Sequence, residues 1–162
     1  MNLVIKEGYS AGCIGRIAEL HARFYSRLAG FGLPFEAKVA RGMAEFLEQF
    51  QQGRDGIWLA VQGDEIHGAI AIDGSHATEK GAHLRWFITS DETRGTGIGN
   101  RLLASAMAHC ATCGFQSVYL WTFEGLEAAR HLYEKHGFRL VHQQPGNQWG
   151  KVVNEQRFER KL

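Results

Sequence analysis

The sequence predicts an α/β fold, a single mixed, mostly antiparallel sheet of about seven strands flanked by about four helices. Three observations carry this prediction. Strand-like and helix-like runs alternate along all 162 residues. Three strand-like runs, Ile57 to Val61, Ile66 to Ile72 and Ala82 to Thr89, follow one another in the middle of the chain as a meander. Two strand-like runs, Ala82 to Thr89 and Ser117 to Trp121, each lead through glycine into a helix-like run. A meander with helices on either side of it in the chain argues for helices packed on one mixed sheet.

The elements follow in order. Asn2 to Glu7 alternates enough for a first strand, and Ser10 is placed to cap the helix after it. Ile14, Ile17, Ala18, Leu20, His21, Phe24, Tyr25 and Leu28 recur at helical spacing until Gly30 and Gly32 interrupt them. Pro34 suits the first turn of a second helix, with Val39, Met43, Phe46, Leu47 and Phe50 on one face and Gly53 as its end. Ile57 to Val61 reads as a buried strand, Gly63-Asp64 as a tight turn and Ile66 to Ile72 as the returning partner. Asp73 to Gly81 is polar and reads as a loop before the strand Ala82 to Thr89. A third helix begins after the glycines at 95–99 and stops at Gly114. Ser117 to Trp121 is the next strand, and Leu126 to His136 the last helix, closed by Gly137. Phe138 to Gln143 and Val152 to Arg160 make a final strand pair, connected through Pro145-Gly146-Asn147.

The most informative stretch is Arg94-Gly95-Thr96-Gly97-Ile98-Gly99. A strand that turns through glycines into a helix points free backbone N–H groups at one spot, at the positive end of a helix dipole. An anion, most often a phosphate, is the expected ligand there. The spacing excludes two familiar phosphate loops. No Gly-Lys-Ser/Thr follows the glycines, as a P-loop requires. The dinucleotide pattern G-x-G-x-x-G lacks its third glycine, because Asn100 or Leu102 stands there.

What remains, Arg94-x-x-Gly97-x-Gly99, resembles the R/Q-x-x-G-x-G/A signature of the GNAT superfamily of acyl-CoA N-acyltransferases. A second block, Ala129-x-x-Leu132-Tyr133-Glu134-x-x-Gly137-Phe138, is similar to the second conserved block of that family and follows at the usual distance. The two blocks and their strands cover roughly the second half of the chain; the first half matches in element order. Trp121-Thr122-Phe123, Gln148-Trp149-Gly150 and Glu155-Gln156 resemble GNAT modules that elsewhere sit behind MarR-type winged helices. Here the chain begins at its own first strand, so a single GNAT-like domain over 1–162 is expected.

The resemblance implies an acetyl-CoA-dependent N-acetyltransferase that moves an acetyl group directly to a primary amine of a small molecule or protein. It also leaves open a non-catalytic acyl-CoA-binding sensor of the same fold. It implies that the Phe87, Ile88 and Thr89 backbone pairs with the cofactor arm where the fourth strand splays from the fifth. An N–H of Phe87 or Ile88 would polarise the acetyl carbonyl. The amides of Gly95, Thr96, Gly97, Ile98, Gly99 and Asn100 would bind the pyrophosphate, with Arg94 ahead of Arg101 as a source of charge. Tyr133 matches the family tyrosine that protonates the departing thiolate. An ordinary tyrosine, near ~10, carries that proton at neutral pH.

Two departures bear on chemistry. Leu126 stands where many members carry a cofactor-holding asparagine, and Trp121 where some carry a carboxylate base. Glu124 is the first candidate for a replacement base, with Glu155 and His83 behind it. Phe31, Phe35, Trp86, Trp121, Phe123 and Trp149 are candidates to line an acceptor pocket, and the glycine-flanked loop from Ala29 to Pro34 to cover it.

Composition bounds the rest. A net charge of +1 favours neither nucleic acid nor a membrane surface. No apolar run approaches membrane-spanning length, and the first residues lack a signal-peptide pattern. Three cysteines, an odd number, suit reduced thiols in the cytoplasm. Cys110-x-x-Cys113 has no second pair to complete a zinc site and closes a helix rather than opening one, so no metal is expected. The family resemblance allows a homodimer.

Overall fold

The computed structural model describes residues 1–162. Its strands are β1 (Val4–Glu7), β2 (Gly56–Gln62), β3 (Glu65–Asp73), β4 (Ala82–Thr89), β5 (Ser117–Phe123), β6 (Arg139–Gly146) and β7 (Val153–Lys161). Its helices are α1 (Cys13–Ala29), α2 (Leu33–Glu48), α3 (Ala77–Lys80), α4 (Ile98–Thr112) and α5 (Glu127–Lys135). The seven strands form one sheet in the order β1-β2-β3-β4-β5-β7-β6. Only β4 and β5 are parallel; the other pairs are antiparallel. The expected sheet is thus present, with one short helix more than the expected four.

Side-chain alternation builds a core on each face of the sheet. In β2, Ile57, Leu59 and Val61 join a cluster with α1 and α2 residues such as Ile17, Met43 and Phe46. Trp58 and Ala60 point the other way, into a cluster with Leu102, Leu103 and Met107 of α4 and Tyr133 of α5. Period-two burial on both faces explains why β2 reads as an unbroken apolar run.

Several boundaries differ from the sequence reading for local reasons. Gly12, not Ser10, is the N-cap of α1; the Ser10 carbonyl accepts from the Cys13 amide at 3.0 Å in the turn before the helix. α2 ends at Glu48, well before Gly53. Four residues of the polar 73–81 stretch form α3, a single turn too short to carry a periodic signal. β6 runs on through Pro145 and Gly146, paired with Asn154 and Val153. It is an edge strand, where a residue without an N–H breaks no ladder.

Two features of β4 shape the site. Ala69 pairs with Ile88 but Ala71 with Arg85, so Ile70 faces both Trp86 and Phe87. This is a β-bulge, with Trp86 at φ 50, a conformation that costs a non-glycine residue about 1–2 kcal/mol. Leu84 and Trp86 would share a face in a regular strand. Instead Leu84 lies in the α4 cluster, and Trp86 packs against the α1–α2 cluster. Secondly, β4 and β5 pair only at Ala82–Val118 and His83–Tyr119. Beyond His83 the strands part, and the rest of β4 has no strand on that side.

Candidate active site

The glycine turn ends in backbone groups aimed outward. After β4 the chain makes a short 3-10 turn, Asp91–Thr93, and enters α4 through Gly97. Gly95 and Gly97 adopt φ 80 and 77, a left-handed conformation that side chains rarely take. The Thr96 amide donates to the Thr93 carbonyl at 3.1 Å, and the Ile98 amide to Thr96 Oγ1 at 3.4 Å. The first backbone bond into the helix is Arg101 N–H to the Gly97 carbonyl, at 3.2 Å. The amides of Gly95, Gly97, Gly99 and Asn100 have no partner in the protein. Four of the six amides named from sequence are therefore free, and two hold the turn in shape. A Cβ at Gly95 or Gly97 would meet nothing within 4 Å, so the space in front of them is open.

These amides border a groove of about 590 Å³ between the parted strands. Phe87, Ile88, Thr89, Arg94, Gly95, Gly97, Ile98, Gly99 and Asn100 line it on one side, and Thr122, Gly125, Leu126, Leu132 and Tyr133 on the other. Arg94 is 82% exposed and pairs with Asp91 at 3.5 Å, which Arg27 also holds at 3.1 Å. Arg101 points elsewhere, its Nη1 donating to the Leu3 carbonyl at 3.2 Å. Asn100 Oδ1 lies 2.8 Å from His136 Nε2, tying α4 to the end of α5.

A second, smaller cavity of about 160 Å³ lies on the α1–α2 side. All six aromatic residues picked out from sequence line it, together with His21, Tyr25, Lys38, His83 and Arg85. Tyr25, Phe87, Thr122, Leu126 and Tyr133 line both spaces, so groove and cavity meet at one junction.

Tyr133 sits at that junction. It is 7% exposed, and burial raises its hydroxyl well above the ordinary tyrosine range. No buried side-chain oxygen or nitrogen in the protein lacks a partner. The Tyr133 hydroxyl has no bond within the protein, so it opens to the junction rather than being sealed in the core. Its ring packs 6.0 Å from Phe87 and 6.0 Å from Phe138.

The three candidate bases fall in different places. Glu124 is exposed and lines neither space; its Oε2 accepts from Asn154 Nδ2 at 3.0 Å. Glu155 is buried under the β6–β7 connection and accepts from the Gln148 amide at 2.8 Å. His83 does line the cavity, stacked on Tyr119 at 4.5 Å. Burial, with Arg85 beside it, pulls His83 down to about 3. His21 is likewise buried and pulled down to about 4, its Nδ1 bonded to the Ile17 carbonyl at 2.8 Å. Both rings are neutral near pH 7, and no carboxylate lines the cavity.

Sequence reasoning missed Lys38 and Arg85. Lys38 Nζ donates to the Gln148 carbonyl at 2.8 Å, and Arg85 stacks over Trp86 at 4.0 Å. A lysine on an amphipathic helix and an arginine in a strand carry no local signal; only the packing of α2 on β4 brings them to one space. No three His, Cys, Asp or Glu side chains gather as a metal site would need.

Four amides without a partner thus stand at a helix start, beside strands that part and a groove that meets a smaller cavity. Residues 16–138 match the model of the acetyltransferase (GNAT) family, and the chain belongs to that family. No curated protein sequence matches it significantly. The fold is similar to that of a Salmonella typhimurium protein described as an acetyltransferase and solved with its cofactor acetyl-CoA. That match has a TM-score of 0.77 at 16% identity and covers 100% of this chain and 95% of the other. It is also similar to an acetyltransferase from Streptococcus agalactiae, with a TM-score of 0.76, 19% identity and coverage of 99% and 98%. A ribosomal-protein-alanine N-acetyltransferase from Brucella melitensis matches with a TM-score of 0.75 at 15% identity, covering 98% of this chain and 99% of that one. At these identities the likeness is one of fold.

Proposed function

We propose that this chain is an acetyl-CoA-dependent N-acetyltransferase in which donor and acceptor meet at the Tyr133 junction. Acetyl-CoA is the cofactor of the family, and the groove suits it: four free amides for a pyrophosphate, then an unpaired length of β4 for an extended arm. When bound, it supplies an activated acetyl group as a thioester. The residues proposed to hold it are Phe87, Ile88 and Thr89 along the arm, and Gly95, Gly97, Gly99 and Asn100 at the phosphates. Thr96 and Ile98 shape the turn, and Arg94 adds screened charge from the surface.

The chain's own groups then have three tasks. An N–H of Phe87 or Ile88 donates to the carbonyl oxygen under attack, where negative charge grows. Tyr133 Oη holds a proton at the junction and gives it to the leaving sulfur. The cavity favours the neutral form of an incoming amine, because burial and the neighbouring Lys38 and Arg85 both disfavour ammonium. With neutral histidines and no carboxylate in the wall, this environment takes the place of a side-chain base. The proton that the amine loses after attack restores Tyr133 Oη, while Glu124, exposed and lining neither space, stays outside the transfer.

The observation that carries this reading is the shared wall: the same tyrosine faces the groove for the donor and the pocket for an acceptor. We take residues 1–162 to act as one unit in a reducing cytoplasm, in keeping with three free cysteines. A homodimer, where formed, is not needed to complete the site. The rival reading, an acyl-CoA sensor without turnover, draws on Leu126 in place of asparagine and on the missing carboxylate. Thiol release from acetyl-CoA against a panel of primary amines decides between them. Turnover above the hydrolysis background supports transfer, whereas binding without release on the whole panel favours the sensor.

A further inference from the structure

We infer that the acceptor cavity is built for a primary amine that also carries an oxyanion, the size of one aromatic or long apolar amino acid, with Lys38 and Arg85 holding the oxyanion. This deepens the transfer reading and rests on it.

The charge of the cavity wall is one-sided. Lys38 from α2 and Arg85 from β4 both line it, and no aspartate or glutamate does. The two cations lie close enough to disfavour each other. Lys38 is pulled down first by burial and then by Arg85, with Glu155 opposing. The nearby carboxylates stand outside the wall, although Asp73 and Glu45 both act on Arg85 from there. Asp73 meets Arg85 Nη1 at a loose 3.5 Å while accepting from the Ser75 amide at 3.0 Å and the Ser75 hydroxyl at 2.6 Å. Glu155 holds the Gln148 amide at 2.8 Å. An anion entering between Lys38 and Arg85 would gain two charge-assisted bonds and relieve their repulsion.

The same wall argues against other acceptors. A polyamine or an aminoglycoside would bring further ammonium groups against two fixed cations, with no carboxylate to receive them. At about 160 Å³ the cavity is also well below the roughly 300–1,000 Å³ of pockets that enclose drug-sized ligands. Its walls of Phe31, Phe35, Phe123 and Trp149 leave room for a flat or apolar side group. Lys38 and Arg85 line this cavity alone, whereas Tyr133 and Phe87 also face the groove. An acceptor held by its oxyanion therefore presents its amine toward the donor side.

The test pairs amines that differ only in a carboxylate: phenylalanine against phenethylamine, and tryptophan against tryptamine, each with acetyl-CoA and thiol detection. The carboxylated member should have the higher kcat/KM by about tenfold or more. Lys38→Met should erase that preference mainly through KM, and Lys38→Arg should restore most of it. A second readout omits acetyl-CoA and follows quenching of indole emission, since Trp86, Trp121 and Trp149 line the cavity. There 3-phenylpropionate should bind, phenethylamine should bind at least about tenfold more weakly, and Lys38→Met should lose the difference. The proposal is overturned if the decarboxylated amines match or exceed their partners in both readouts. It is equally overturned if no probe binds, or if neither Lys38→Met nor Arg85→Met alters the preference. If 3-phenylpropionate binding depends on Lys38 but no amine releases thiol, the transfer reading fails and the oxyanion site stands.

Discussion

The groove and the cavity share a wall but are made in opposite ways. The groove is a property of the backbone: consecutive amides between Gly95 and Asn100, a helix start, and a strand left unpaired. The cavity is a property of side chains gathered from α1, α2, β4, β5 and the 147–152 connection. A backbone device tolerates almost any sequence that keeps its glycines and its turn. A side-chain device can be rebuilt for a new ligand by changing a few residues while the sheet stays as it is. The one is suited to a constant partner, the other to a variable one.

The sharpest way to break this contrast is to destroy the backbone device alone. Gly97→Glu brings a carboxylate to the free amides and forces a side chain onto φ 77. Acetyl-CoA affinity should fall by about 1,000-fold or more, from like-charge repulsion and steric block. The strain should cost about 1–2 kcal/mol of stability, leaving a folded protein by circular dichroism. Calorimetry that finds acetyl-CoA affinity unchanged in the folded variant would remove the phosphate role from this loop.

The second prediction probes the shared wall. Tyr133→Phe should lower kcat by about 100-fold with acetyl-CoA affinity nearly unchanged, because only a proton donor is removed. Burial raises the Tyr133 hydroxyl, so it stays protonated throughout the working range. The wild-type rate should therefore rise with pH as the acceptor amine loses its proton, then level off without a falling limb. A Tyr133→Phe enzyme of wild-type kcat would leave Tyr133 as a wall residue only.

How much of this was legible from sequence divides along the same line. The glycine turn, Tyr133 and the order of elements along the chain come from contiguous residues, and local patterns report local geometry. The aromatic wall was legible as a set because aromatic residues are few and large, although nothing local said that Trp86 would be turned by a bulge to join it. Lys38, Arg85 and the neutral histidines were not legible, since their roles depend on which elements pack together. Glu124 shows the same limit from the other side. Its place at the end of β5 was readable, but its bond to Asn154 depends on β7 lying beside β5.

The third prediction concerns the cavity side alone. His21 titrates near 6.5 when unfolded and near about 4 when folded, because burial disfavours its charge. The unfolded chain therefore binds the extra proton first as pH falls. Stability is complete above the unfolded value and declines between it and the folded value, by about 2 kcal/mol at pH 5. Urea unfolding at pH 7 and pH 5 measures this, and His21→Leu should remove only about half of the difference, because burial holds His83 down as well. An equal pH dependence in the variant would assign the loss to other groups.

The smallest effect should come from the most visible charge at the groove. Arg94 is largely exposed and already paired with Asp91, so Arg94→Ala should weaken acetyl-CoA binding only about two- to fivefold, less at high salt. A much larger loss would mean that the groove depends on side-chain charge after all, and the contrast drawn above would narrow.

The place of β7 carries a consequence for synthesis. This strand comes last in the chain yet lies between β5 and β6. A nascent polypeptide can complete the turn at Gly95–Gly99 and still expose the whole edge of β5 until Val153–Lys161 emerges. Pairings so distant in sequence form late and slowly, and a bare β5 edge invites pairing with another chain meanwhile. Phe158 of β7 also packs beside Tyr133, so ribosome-stalled fragments ending near Phe138 should lack a settled groove and be the most in need of a chaperone.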